Sequence, residues 1–271
     1  MSLIELTGPT EFFISPTGSD LTGDGSALNP YASMQHIYDL FVSKYHFGGF
    51  PVTVNVADGE YIGGLTAFGR IAGQVSSNHL LFKGNQSNWA NVKIKQAVTS
   101  NPIQLYCFAG AYGAQYRFEG MYLDSSNLVQ DIVSAGSQSV IAFQKVIFGD
   151  SVYEWADMTA YDGGTIYILG DYEIRKTYAV RVCNRAINSN VLTGIVDFTG
   201  IKKWQGVFGA GMPLDCFVSD FNIVAGTITL TRNANSSGTD SVAFCNGGAC
   251  HAISGRNGTI AYLTNAIPGR V

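Results

Sequence analysis

Charge is what this chain has least of. Only 13% of its 271 residues are Asp, Glu, Lys or Arg, against about 25% in ordinary domains. Part of the surface is therefore expected to be covered, most simply by further copies of the chain. No run of Lys or Arg occurs and the net charge is −4, which excludes the electrostatic footprint of a nucleic-acid binder. Long apolar runs are also missing, because Gly and polar residues interrupt each one; no membrane-spanning helix is expected. Met1-Ser2-Leu3-Ile4-Glu5 has neither the basic nor the apolar region of a signal peptide, so folding in a cytosol is the expectation. Cysteines number five, which is odd, and fit reduced, buried thiols better than a disulfide framework.

What the chain does have is glycine and repetition. Gly accounts for 32 residues, well above the usual ~7%, as a chain full of tight turns requires. Tyr116-Arg117-Phe118, Ile141-Ala142-Phe143 and Ile166-Tyr167-Ile168 share one pattern at a constant interval. Each has apolar residues two apart, the mark of a strand with one buried face. Each is followed by a second such pair: Met121/Leu123, Val146/Phe148 and Tyr172/Ile174. Turns are expected at Ala109-Gly110, Ala135-Gly136 and Asp162-Gly163-Gly164. Short strands repeating without helices between them predict an all-β solenoid, a parallel β-helix.

Ser33 is placed to cap a helix over about 34–45, whose apolar residues Met34, Ile37, Tyr38, Phe41 and Tyr45 fall on one face. Ahead of a solenoid such a helix is a cap that closes an open edge. Alternation resumes at Val52-Thr53-Val54-Asn55-Val56, passes through Leu80/Phe82 and Val92/Ile94, and reaches the regular repeats. Val196/Phe198 with Ile201 predicts a further rung, and Ile223 with Ile228/Leu230 a last rung or a terminal hairpin. The expected organisation is an attachment and cap segment over 1–50, a parallel β-helix over 51–232, and a C-terminal cap or oligomerisation segment over 233–271. That last segment contains the short strand Thr259-Ile260-Ala261-Tyr262-Leu263.

The N-terminal residues form an ordered series. Phe13-Ile14-Ser15-Pro16-Thr17-Gly18-Ser19-Asp20 is followed by Gly23-Asp24-Gly25, by Asn29-Pro30-Tyr31-Ala32-Ser33-Met34-Gln35, and by Val54-Asn55-Val56-Ala57-Asp58-Gly59-Glu60-Tyr61. This series resembles the opening of right-handed parallel β-helix proteins of the pectin-lyase-like superfamily, many of them phage tailspikes or tail-fibre-like proteins. The resemblance covers residues 12–64 closely, and beyond them only the rung pattern is shared. It implies that the motif residues shape the first coil and are not catalytic. It also implies a homotrimeric virion protein.

The enzymes of that superfamily leave marks that are missing here. Galacturonases use clustered aspartates with Gly-His-Gly and Arg-x-Lys, but the chain has no Asp-Asp pair and no His between glycines. Pectate lyases use Ca²⁺-binding carboxylates with an Arg base. Arg175-Lys176 near Asp171 and Glu173 echoes this faintly, and a solvated face is the plain alternative. A glycosidase needs two carboxyls about 5–10 Å apart, and strands of neighbouring rungs lie about 4.8 Å apart. Asp124, Asp150 and Glu173 each end a second-strand unit. Candidate catalytic carboxylates are accordingly Asp150, Glu154, Asp157, Asp171 and Glu173. Tyr153 and Trp155, interleaved with them, are candidate glycan platforms, because aromatic faces stack on sugars while acids take hydroxyls. A subunit interface is the alternative for Trp155. Trp204, after Lys202-Lys203, is a further glycan candidate. Cys245, Cys250 and His251 lack a fourth zinc ligand nearby, so neither a metal nor another cofactor is expected.

Three functions follow from this reading. The favoured one is a phage spike or fibre that binds a host-surface glycan, located in the virion, with the glycan and other virion proteins as partners. A polysaccharide depolymerase, lyase or hydrolase, on the same scaffold is the second. A non-enzymatic decoration or adaptor protein is the third.

Overall fold

The computed structural model of the chain describes residues 2–95, 107–125, 132–151, 158–175, 178–213, 216–245, 253–256 and 259–262. The chain opens with β1 (Ile4–Glu5) and β2 (Thr10–Ile14), then helix α1 (Met34–Lys44) and β3 (Tyr45–His46), which pairs with β1. Next come β4 (Val52–Val56), β5 (Gly59–Ile62) and β6 (Leu65–Phe68), then β7 (Leu80–Lys83), β8 (Val92–Lys95) and β9 (Phe108–Ala111). The long strands β10 (Gln115–Ser125) and β12 (Val140–Ser151) follow, with β11 (Val133–Ala135) between them. Then come β13 (Met158–Tyr161), β14 (Thr165–Ile168) and β15 (Tyr172–Ile174).

These strands pair in three parallel ladders. The first runs β2, β4, β7, β10, β12, β14. The second runs from β5 to β8, through the second halves of β10 and β12, to β15. The third runs β6, β9, β11, β13. The all-β class and the predicted repeat both hold. Tyr116 pairs with Ile141 and Ile141 with Ile166, while Phe118, Phe143 and Ile168 align beside them. Gly120 (φ +67) and Lys145 (φ 52) hold the equivalent left-handed corner in β10 and β12, turning each strand from the first ladder into the second.

In-register stacking puts like on like inside. Phe118 is fully buried and stacks on Phe82 at 5.1 Å, Phe143 at 5.8 Å and Phe108 at 3.7 Å between ring centroids. One continuous core runs from Phe12 to Ile168.

The N-terminal motif closes the exposed edges. The loop after β2 bonds to that strand's free side: Phe13 N–H donates to Gly25 O, Tyr31 N–H to Phe13 O, and Ser15 N–H to Tyr31 O. Asp20 ties the loop to the helix by accepting from Ala32 N, Ser33 N and Ser33 Oγ. Ser33 in turn caps α1, its hydroxyl accepting from His36 N. The helix buries Met34, Ile37, Tyr38 and Phe41. Gln35 lies along β6, where its amide accepts from Thr66 N at 2.9 Å and donates to Thr66 O at 3.1 Å. A side-chain amide thus stands where the next strand of the third ladder would pair.

Two expectations are corrected. Ala109-Gly110 is not a turn; it lies inside β9, and the chain turns at Tyr112-Gly113, just as Ala135 ends β11 and the chain turns at Ser137-Gln138 rather than at Ala135-Gly136. The parallel ladders also do not continue from 178 to 232. Residues 178–245 form an antiparallel unit of two sheets. One has β16 (Tyr178–Arg185) and β18 (Gly206–Phe208) flanking β21 (Gly238–Cys245), and the other has β17 (Val191–Leu192) and β19 (Val218–Asn222) flanking β20 (Thr227–Leu230). It has its own core, including Ile201, Val218, Ile228 and Phe244. Val196 and Phe198 lie outside strands and Val196 is 98% exposed, so they form no rung. The hairpin alternative for Ile228/Leu230 is what occurs. Afterwards the parallel pairing resumes: β22 (Ile253–Arg256) adds to β13 and β23 (Thr259–Tyr262) adds to β14. The antiparallel unit is therefore an insertion within the parallel stack, and the terminal strand belongs to that stack.

Two outcomes test this architecture. Phe118→Ala opens a hole in the aromatic stack and lowers stability by about 3–5 kcal/mol, read as a shift of the urea midpoint. Cys107, Cys183, Cys216 and Cys245 are buried thiols outside any disulfide, and burial pushes the Cys183 and Cys216 thiols up. A disulfide-exchange reagent accordingly labels no more than one thiol per chain in the native protein, and all five once the chain is unfolded.

Candidate functional site

The second ladder carries a dense polar cluster on its outer face. Because successive side chains alternate, Lys93 and Lys95 point outward from β8, and Tyr122 and Asp124 from β10. Tyr122 pairs with Lys93 on one side and Ile147 on the other, and Ile147 pairs with Glu173 of β15. The register of β10 on β12 then slips. Leu123 pairs with Phe148 and Ser125 with Ser151, so Gly149 and Asp150 together face the single Asp124. This is a β-bulge, which re-aims a side chain, and here it sets Asp150 beside Asp124. Gly149 is required: a Cβ there would lie 2.5 Å from the Tyr122 hydroxyl.

Lys93 Nζ lies 3.0 Å from Asp124 Oδ2 and 4.9 Å from the centre of the Tyr122 ring. Lys95 pairs with Glu60 at 2.7 Å. Arg175 forks Glu173, with both nitrogen-to-oxygen distances 2.9 Å. Asp124 and Asp150 are buried, 7% and 9% exposed. Desolvation, then the Asp124 and Asp150 carboxylates, push the Tyr122 phenol up to about 12; Glu173 adds to this and Arg175 opposes it. The phenol therefore stays a hydrogen-bond donor at neutral pH. Donors (Lys93, Tyr122, Arg175) and acceptors (Asp124, Asp150, Glu173) alternate across four strands. Such a face matches sugar hydroxyls, each of which both donates and accepts.

Of the residues singled out in the sequence, Asp124, Asp150, Glu173 and Arg175 reach this face together. Asp171 stands at the exposed corner before β15, where its carbonyl accepts from Lys145 N. Trp204 sits in the antiparallel unit, 41% exposed with φ 69, its N–H bonded to Val218 O. Its neighbour Lys203 pairs with Asp220 at 2.9 Å. Tyr153, Glu154, Trp155, Asp157, Cys250 and His251 lie outside the described residues. Lys93 and Tyr122 had not been singled out, although the repeat spacing that aligned the core also aligns them. Among the described residues no group of three or more His, Cys, Asp or Glu could hold a metal ion, and no helix is long and apolar enough to cross a membrane.

Burial also raises the phenols of Tyr38, Tyr61 and Tyr116. Unfolded, these groups lose their protons near pH 10; folded, they keep them longer. The stability they contribute is present below about pH 10 and is lost as pH climbs toward 12. In Tyr122→Phe the urea midpoint falls less steeply across that window than in the parent chain.

No family model, curated protein or solved structure matches this chain.

Proposed function

We propose that the chain is a bacteriophage virion protein, a spike or tail-fibre component, that binds a host-surface glycan on the outer face of the second ladder. The carrying observation is the bulge in β12, which sets the buried Asp150 beside Asp124 and Tyr122, between Lys93 and the Glu173–Arg175 fork. A bulge at this point contributes nothing to the regular ladder and serves to re-aim Asp150.

Three ladders of short parallel strands, turning from one to the next in a fixed order, support a right-handed parallel β-helix of the pectin-lyase-like kind. The N-terminal series, with Asp20, Gln35 and their partners acting as edge closure, supports the same reading. The assembly proposed is a homotrimer in the virion, folded in the host cytoplasm and attached to other virion proteins. Three copies of a shallow site reach useful affinity through avidity.

A second reading, a polysaccharide depolymerase on the same face, is favoured by one feature. Asp124 and Asp150 lie on adjacent strands about 4.8 Å apart, close to the carboxyl separation of retaining glycosidases. The Lys93 ion pair on Asp124 weighs toward binding, since it already occupies that carboxylate.

The test is retention of bacterial surface polysaccharides by the purified chain, with polymer size and reducing ends followed in the same samples and light scattering for the oligomer. A polymer is retained uncut, and Asp150→Asn and Arg175→Gln each weaken retention by tenfold or more with the thermal midpoint unchanged. Cleavage would establish the depolymerase instead. Absence of retention across the panel would leave a structural virion part.

A further inference from the structure

The insertion over 178–245 provides for its own interior. Asn184 pairs with Thr193 and Gly206 with Phe217, so its two sheets meet along both sides. Between them Val218, Ile228 and Phe244 are buried in a core separate from that of the parallel stack. Apolar side chains left outside therefore serve no interior. Yet among the described residues, eight of the seventeen large hydrophobic side chains exposed to solvent lie in this one unit, an excess that calls for a cause local to it.

Six of them adjoin. Tyr178, Val180 and Val182 alternate along β16, so all three stand on its outer face. Arg181 points to the other side, where it donates to Asp197 O and Thr199 O and pairs with the Asp197 carboxylate. These bonds draw the segment after β17 alongside β16 and bring Val196 beside that strand. Ile195 N–H donates to Gly226 O, which sets the hairpin tip between β19 and β20 next to Val196. That tip holds Ile223 and the fully exposed Val224, where a turn ordinarily takes Gly, Asn, Asp or Ser. The Arg181 guanidinium also donates to Val180 O and so occupies the edge of β16. What is left for a partner is the side-chain surface, not the backbone of an added strand.

Area and charge say what fits there. Burying one aliphatic side chain removes roughly 60–120 Å² of apolar surface at the usual coefficient, so the six side chains present on the order of 400 Å². A standard interface covers about 800 Å² on each partner, somewhat more than half of it apolar. The patch supplies that apolar share. Its bordering charges are already paired, Arg181 with Asp197 and Lys203 with Asp220. A neutral border neither steers a charged partner in nor repels an identical one. A face without net charge can thus meet itself, as contacts between identical chains require.

We propose that copies of this chain associate through the patch on the insertion formed by Tyr178, Val180, Val182, Val196, Ile223 and Val224. This surface is independent of the glycan face and of the number of copies.

The test is the mass of the purified full chain by light scattering over a micromolar concentration series, with far-ultraviolet circular dichroism as the check on folding. The parent chain is an oligomer. Val182→Lys and Val224→Lys each weaken its association by tenfold or more, and both keep the parent spectrum; Val224 sits in a turn, where lysine disturbs no packing. Ile62→Lys, equally exposed but on the parallel stack, keeps the parent mass. The proposal is overturned if the parent is a single chain, or if it is an oligomer that both valine variants leave intact. A two-copy parent broken by these variants would support the patch and overturn the homotrimer. A three-copy parent that resists them would support the homotrimer and overturn the patch. Dissociation by Ile62→Lys and by neither valine variant would place the contact on the parallel stack and overturn the proposal.

Discussion

Parallel pairing without slippage is the constraint from which the rest of this structure follows. Since side chains alternate with a period of two, a slip of one residue would turn every buried side chain outward. The register therefore has to repeat, and each position sees the same surroundings in successive repeats. Inside, this sets Phe82, Phe118 and Phe143 in one aromatic column. At the corners it repeats left-handed backbone, as at Gly120 and Lys145. Outside it builds columns of polar residues drawn from sequence positions far apart, such as Lys93, Tyr122 and Glu173.

The same constraint creates a liability at the ends. A parallel ladder stops with a row of free N–H and C=O groups, which would template association with another chain. The residues of the N-terminal series meet that need. The loop from Ser15 to Tyr31 bonds to the free side of β2, Asp20 holds the loop to the Ser33 cap, and Gln35 pairs with Thr66 on β6. Ordering this loop costs backbone entropy, which the closed edges and the buried face of α1 offset. An ordered series of Asp, Ser and Gln in the sequence is thus the trace of an edge-closing device.

Much of this was legible in the sequence, for reasons that also mark where reading stops. The helix was legible because Met34, Ile37, Tyr38 and Phe41 share a face and Ser33 precedes them. The register of β10, β12 and β14 was legible because the apolar pairs recur at a constant interval. The antiparallel unit was not, since alternation in a strand such as Thr227–Leu230 is the same whichever way its partner runs. The rung expected at Val196 and Phe198 failed for a different reason, because those residues lie in the connection between β17 and β18, outside any strand. At the candidate face, Asp150 and Glu173 were found by their position at the ends of strand pairs. The bulge that brings Asp150 to Asp124 is a register event between strands and leaves no local pattern. Lys93 was overlooked because lysine on a strand reads as ordinary solvated surface until the residue across the ladder is known.

The insertion sharpens the functional argument. Leaving after β15 and returning at β22 requires the two ends of the antiparallel unit to meet positions on neighbouring strands, and β13 with β22, and β14 with β23, supply them. Such an exit and return interrupt the parallel stack without disturbing the register of its core, because the unit buries its own apolar residues. The outer faces are then free to differ from one another. One holds opposite charges already paired, Lys93 with Asp124 and Arg175 with Glu173. The other, along the turns after the third ladder, holds left-handed and exposed side chains such as Tyr112. Both are built by one rule, the repetition of register. Their chemistry differs because one lies along a strand face and the other along a column of turns.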